Sequence, residues 1–199
     1  MLISNNIKKF YSQFVMLSAF IFALNFSASA QFTSCGDDMS HEGYSYSTVQ
    51  IGDQCWFSEN CRYLPEVSPP SSSSSSTPYY YVYGYEGTDE SAAMSTSNYE
   101  TYGVLYNWPA VMTEGICPSG WHIPSDGEWQ TMEISLGMTE SEAASGGSRG
   151  SPVGDYMKST SGWNGGNGSN SSGFNGLPGG WASCSSSDGF DYYGETGKW

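Results

Sequence analysis

Sixteen of the 25 glycines in this chain fall within its last 63 residues. Such a stretch cannot be a helical domain, because each interior glycine costs a helix roughly 1 kcal/mol relative to alanine. It is either an unstructured tail or the loop-rich lobe of a folded domain. Tyr156, Met157, Trp163, Phe174, Leu177, Trp181, Phe190 and Trp199 are spread through it. Pure linkers lack side chains that can anchor against a core, so the folded lobe is the preferred reading.

The front of the chain reads differently. Lys8 and Lys9 precede an apolar run at 14–26, and Ala28-Ser29-Ala30 follows with the small residues that a signal peptidase needs. The run is too short to span a bilayer comfortably. Residues 1–30 are therefore expected to be a signal peptide cleaved before Gln31, and 31–199 a single exported domain. No second hydrophobic segment follows, so no transmembrane segment is expected after cleavage. The expected location is secreted or at the cell surface.

Past residue 30 the chain has four basic and 20 acidic residues. With no Lys/Arg cluster to neutralise phosphates, nucleic-acid binding is excluded as a main role. Docking on an anionic membrane is disfavoured for the same reason. The acidity itself is explained by a solvated surface that keeps an exported protein in solution.

Cys35, Cys55, Cys61, Cys117 and Cys184 all lie in the exported part. Oxidising conditions make all five disulfide candidates. The connectivity stays open, and an odd cysteine implies a free thiol, an intermolecular bridge or a partner elsewhere. Cys55 and Cys61 are not spaced as zinc ligands, and neither His41 nor His122 lies near a matching pair.

Period-2 alternation from Tyr44 to Trp56, broken at Gly52-Asp53, predicts two short strands and a tight turn. Six serines at 71–76, after Pro69-Pro70, predict a flexible surface loop over 71–77. Tyr79, Tyr80, Tyr81, Tyr83 and Tyr85 follow. They suit a ligand-stacking strip or a tyrosine-lined edge strand, and the strand is preferred. The polar, acidic residues 86–99 form a loop or short helix, and Pro109 ends the β-compatible stretch at 102–108, before a helical turn.

The most informative segment is Gly120-Trp121-His122-Ile123-Pro124-Ser125-Asp126-Gly127-Glu128-Trp129. Ser125 and Glu128 form an S-x-x-E capping box, Pro124 marks the boundary and Asp126 suits the first turn. Trp129, Met132 and Leu136 then fall on one helical face, and Gly137 is placed to cap the end. A helix is predicted over 126–136, with a second helical turn at 140–144.

This segment, taken from Gly115 to Trp129, stands with three others. They are Val49-Gln50-Ile51-Gly52-Asp53-Gln54-Cys55-Trp56-Phe57-Ser58-Glu59-Asn60, Tyr102-Gly103-Val104-Leu105-Tyr106-Asn107-Trp108, and Asn170-Ser171-Ser172-Gly173-Phe174-Asn175-Gly176-Leu177-Pro178-Gly179-Gly180. Together and in this order they resemble the Fibrobacter succinogenes major paralogous domain, a family of exported bacterial proteins. The helix entrance at 120–129 also resembles that of formylglycine-generating-enzyme-like domains. Both resemblances imply an α+β, C-type-lectin-like fold, with small antiparallel sheets, one main helix and long loops. Two departures stand out. Cys61 replaces a leucine usual in the family, and members usually continue beyond the position of Trp199 with further strands. The expectation is a truncated product or a sheet without its last strands.

Catalytic machinery is not expected. His122 belongs to the helix entrance, His41 lies near a loop, and no acidic pair among so many can be singled out for glycosidase chemistry. Formylglycine-generating chemistry needs a cysteine pair near the C-terminus, and Cys184 alone does not supply it. Calcium is the ion to weigh, since many sugar-binding lectins hold it through carboxylate and amide oxygens. The E-P-N and Q-P-D triplets of sugar-binding lectins are absent, Trp163-Asn164 is followed by Gly165 rather than an acid, and Asp188, Asp191 and Glu195 form only a loose cluster. No cofactor and no metal site are expected. The expected function is a non-enzymatic binding or surface-interaction module, recognising carbohydrate or a cell-surface protein. Its expected contact residues are aromatics on loops: Tyr79, Tyr81, Tyr83, Trp163 and Trp181. A formylglycine-generating-like enzyme and a structural cell-surface component are the alternatives.

Overall fold

The computed structural model describes residues 34–147, 149–183 and 189–197. The expected signal segment, Cys184, Asp188 and Trp199 lie outside these. The architecture is α+β, with short helices and small antiparallel sheets joined by long loops.

The chain opens with two hairpins. Strands β1 (Met39–His41) and β2 (Tyr44–Tyr46) pair antiparallel. Glu42 and Gly43 both take positive φ, 47° and 79°, which is the I′ geometry that matches strand twist. Strands β3 (Thr48–Ile51) and β4 (Gln54–Phe57) form the second hairpin, with Ile51 opposite Gln54. Its turn is Gly52-Asp53, as the sequence predicts, with Gly52 at φ 60°. The predicted first arm is split, however. The chain changes partner at Ser47, whose N–H donates to Glu59 Oε1 at 2.9 Å. β1 itself carries no alternation long enough to be read from sequence.

The tyrosine run becomes a strand of two residues, β5 (Tyr80–Tyr81), paired with β6 (Leu105–Tyr106). Between them lie helices α1 (Glu90–Met94) and α2 (Ser97–Tyr102). Each starts where a side-chain oxygen caps it, Asp89 accepting from Ala92 N–H and Thr96 from Tyr99 N–H. Helix α3 (Trp108–Val111) begins at Asn107, with Pro109 in its first turn.

The main helix is α4 (Asp126–Ser135), and both halves of the predicted capping box are made. Leu136 is the C-cap, and Gly137 follows it at φ 116°. A second capping box, Thr139 with Glu142, starts α5 (Glu140–Ala143). Helix α6 (Val153–Met157) has no side-chain cap, which is why sequence reading passes over it. Strands β7 (Trp181–Ala182) and β8 (Phe190–Asp191) complete the described elements.

Two apolar clusters hold these pieces. One joins Ile51, Trp56, Met132, Met138, Ala143, Val153, Met157 and Phe174. It therefore ties the second hairpin, α4, α5, α6 and the glycine-rich lobe into one interior. The lobe adds backbone bonds of its own, Ser159 N–H to Gly176 O at 2.9 Å and Gly176 N–H to Met157 O at 2.8 Å. The other cluster joins Leu64, Val67, Tyr80, Val82, Ala93, Val104 and Ala110. No helix among the described residues is long and apolar enough to cross a membrane.

The serine run lies at the surface without helix or strand. Its backbone is held by Asn107, whose Nδ2 donates to Ser74 O at 3.0 Å and Thr77 O at 2.8 Å. The same side chain's Oδ1 accepts from Tyr79 N–H at 2.9 Å and Ala110 N–H at 3.1 Å. One amide thus fixes the loop, the start of β5 and the start of α3.

Candidate functional site

Residues of both clusters face a cleft of about 1050 Å³. One side is β4 and the loop after it, with Trp56, Phe57 and Cys61. Another is the helix entrance, with Trp121, His122 and Trp129. The β6 region adds Tyr106 and Trp108, and the glycine-rich lobe adds Phe174 and Trp181. Ring packing sets the orientation of these walls. Trp56 and Trp129 have centroids 4.9 Å apart, Phe57 and Trp121 4.7 Å, and Trp181 and Tyr192 4.4 Å. Such tilted and edge contacts fix large amphipathic faces without filling the space between them.

Polar groups are sparse and placed. Gln54 Oε1, an acceptor, and Trp56 Nε1–H, a donor, are buried without a hydrogen-bonding partner. Both residues line the cleft. They alternate on β4 so that both side chains point inward, which is the period-2 geometry of a strand. A buried unpaired polar atom carries a desolvation cost of about 1–3 kcal/mol, and both atoms lie behind the cleft wall and not on its surface.

A second, more polar pocket of about 470 Å³ shares Glu59, Asn60, Asn175 and Leu177 with the cleft lining. Glu59 is its charged centre. It accepts from Tyr44 OH at 2.6 Å, and Arg62 pairs with it at 3.1 Å while lying 4.1 Å from the centre of the Tyr44 ring. Burial pushes the Glu59 carboxyl up, but the Tyr44 hydroxyl, the Ser47 N–H and Arg62 outweigh it and hold it below the usual range. The guanidinium also donates to Glu100 O at 2.8 Å. These groups are committed to one another, and the arrangement is a brace for the loop after β4.

His122 Nε2 lies 2.8 Å from Glu128 Oε1. Glu128 also accepts from Ser125 N–H at 2.7 Å and Ser125 Oγ–H at 2.8 Å. The Ser125 bonds, with His122 after them, lower the Glu128 carboxyl to about 2. A carboxylate held so firmly in its ionised form is a cap and not a general base near neutrality. His41 Nε2 contacts Gly115 O at 2.9 Å. Among the described residues, no group of three or more His, Cys, Asp or Glu is placed to hold a metal ion.

Of the aromatics singled out from sequence, the cleft gathers Tyr81 and Trp181. Tyr81 is buried and donates to Ser72 O at 2.6 Å. The other three lie elsewhere. Tyr79 packs 6.2 Å from Tyr81, and Tyr83 packs against Phe190 at 4.8 Å and Tyr193 at 5.0 Å. Trp163 is covered by the Lys158 ammonium at 4.5 Å and donates to Ser159 Oγ at 3.0 Å. Sequence reading missed Gln54, Trp56, Trp121 and Trp129 as site residues because it assigned them to strand and helix entrance. The signal that could have found them is the density of tryptophan in those two motifs.

Cys35 and Cys55 form a disulfide, which fits an oxidising compartment outside the cell. Cys61 and Cys117 carry no bridge in this structure. Cys184 lies outside the described residues.

No curated protein and no solved structure matches this chain. A family model does, over residues 49–199, a span that contains the hairpin, the helix entrance, the glycine-rich lobe and hence nearly all of the cleft lining. On that match the chain belongs to the Fibrobacter succinogenes major domain family.

Proposed function

We propose that this protein is an exported, non-enzymatic binding module that takes a carbohydrate chain into the aromatic cleft. The observation that carries this reading is the aromatic lining of the cleft, with Trp108, Trp121, Trp129 and Trp181 beside the amide side chains of Asn60 and Asn175. A sugar presents both chemistries at once. Its C–H face packs on an aromatic ring, and its hydroxyls exchange hydrogen bonds with side-chain amides. Ligand pockets of this size are mainly apolar, with a few placed polar groups that set orientation. The formal net charge of −14 favours neutral glycans over anionic ones. The small hairpins and long loops support the C-type-lectin-like reading of the fold. Export is supported by the Cys35–Cys55 bridge and by the leader-like residues 1–30.

The test is binding to a panel of neutral and acidic polysaccharides, by array and then calorimetry, with and without calcium. Binding of a neutral glycan, weakened at least tenfold in Trp181→Ala and in Trp121→Ala, is the expected result. No signal above background in either condition, or binding indifferent to both substitutions, overturns the proposal.

A protein partner is the second reading. Helix α3 and its C-cap present Trp108 and Met112, 71% and 66% exposed. Two large apolar side chains so open to water suit an interface anchor.

A further inference from the structure

Among the described residues, the two thiols outside the Cys35–Cys55 bridge are not scattered. Cys61 sits on the loop after β4, and Cys117 on the approach to α4. Both are half-buried, and both line the same cleft. The Cys61 Sγ lies 3.9 Å from the carbonyl oxygen of Ile116, the oxygen of the very peptide unit that joins Ile116 to Cys117. The sulfur therefore rests against the backbone of its potential partner. Both backbones are fixed. Cys61 O accepts from Val104 N–H at 3.0 Å, and Gly103 allows that approach, since a Cβ there would collide with Cys61 O. Cys117 is held between buried Ile116 and buried Pro118.

We propose that Cys61 and Cys117 are a second cystine pair, closed in the cleft wall by thiol–disulfide exchange with an external disulfide. The oxidant is a low-molecular-weight disulfide or a disulfide-bonded exchange catalyst, of the kind able to close Cys35–Cys55. One cysteine, as thiolate, attacks the external S–S bond and forms a mixed disulfide, expelling one thiolate. The second cysteine, as thiolate, then attacks the protein sulfur of that mixed disulfide and expels the other half. One S–S bond forms in the protein and one breaks in the oxidant. The two cysteine protons end on the two thiols released, and two electrons pass to the oxidant. Burial, and Cys61 after it, pushes the Cys117 thiol up to about 11, so the pair closes slowly at neutral pH and faster as pH rises. Closure joins the loop after β4 to the helix entrance across the cleft wall. This inference is independent of which ligand the cleft takes.

The experiment uses the full chain, incubated with oxidised glutathione, quenched with iodoacetamide under denaturing conditions, digested and mapped by mass spectrometry. The expected result is a cross-linked peptide pair containing Cys61 and Cys117, lighter by two hydrogens than the sum of its parts. In Cys117→Ser, Cys61 is recovered alkylated or as the unresolved glutathione mixed disulfide, while Cys35–Cys55 persists. Alkyl groups on both Cys61 and Cys117 in the oxidised wild-type chain overturn the proposal. So does a peptide that links either of them to Cys184.

Discussion

Removing the charge of Glu128 tests the helix entrance on which one wall of the cleft depends. The carboxylate accepts three hydrogen bonds, from Ser125 N–H at 2.7 Å, from Ser125 Oγ–H at 2.8 Å and from His122 Nε2 at 2.8 Å. They move its carboxyl from 4.5 to about 2. Taken whole, a displacement of that size corresponds to roughly 3 kcal/mol at about 1.4 kcal/mol per pH unit. The side chain is 28% exposed at a solvated helix start, and water screens part of the gain. Capping and charge–dipole interactions at such a site contribute about 1–2 kcal/mol, and that smaller figure is the prediction for Glu128→Gln. Its pH dependence has a definite sign. The group's folded-state value is depressed, so its contribution is complete above 4.5 and is lost as pH falls toward about 2. Urea unfolding of wild type and Glu128→Gln from pH 7 to pH 2 should show a gap that is constant down to about 4.5 and then closes. Other carboxylates titrate in both proteins and cancel in the difference. A gap that stays constant to pH 2, or no gap at pH 7, refutes the assignment of Glu128 as an ionised cap.

Three further outcomes are expected. Met132 is fully buried between the second hairpin and the glycine-rich lobe, so Met132→Ala should lower unfolding free energy by about 2–5 kcal/mol in urea. Arg62→Lys keeps the charge but loses the planar fork that reaches Glu59 and Glu100 O together; a loss of about 1–2 kcal/mol is expected by the same assay. Asn107→Ala removes the hydrogen bonds to Ser74, Thr77, Tyr79 and Ala110. It should destabilise by at least about 1 kcal/mol and speed proteolytic cleavage within 71–77, read by limited digestion and mass spectrometry.

Features encoded in neighbouring residues were legible before the structure. The capping box at Ser125 and Glu128, the Gly52-Asp53 turn and the helical face of Trp129 and Met132 each need only a few consecutive positions to declare themselves. Helix α6 was not legible, because Pro152 offers no side-chain cap and Gly154 lies inside it; packing of Val153 and Met157 holds it in place. The division of β2 from β3 depends on Glu59 reaching back to Ser47, a contact that no local pattern announces. The cleft was the least legible feature. Tyr81 and Trp181 were singled out by composition, but Gln54, Trp56 and Trp121 become neighbours of them only when distant segments close on one another.

The grip of Asn107 on the serine run reaches further than the loop itself. Its amide holds main-chain carbonyls, at Ser74 and Thr77, and not serine hydroxyls. Ser74 Oγ adds to this grip by accepting from Ser76 N–H at 3.1 Å and Thr77 N–H at 2.9 Å, so the side chain at 75 is the one between the anchor points left out of the hydrogen-bond pattern. The serines that do line the cleft, at 72–74, thus owe their position to a side chain 33 residues further along the chain.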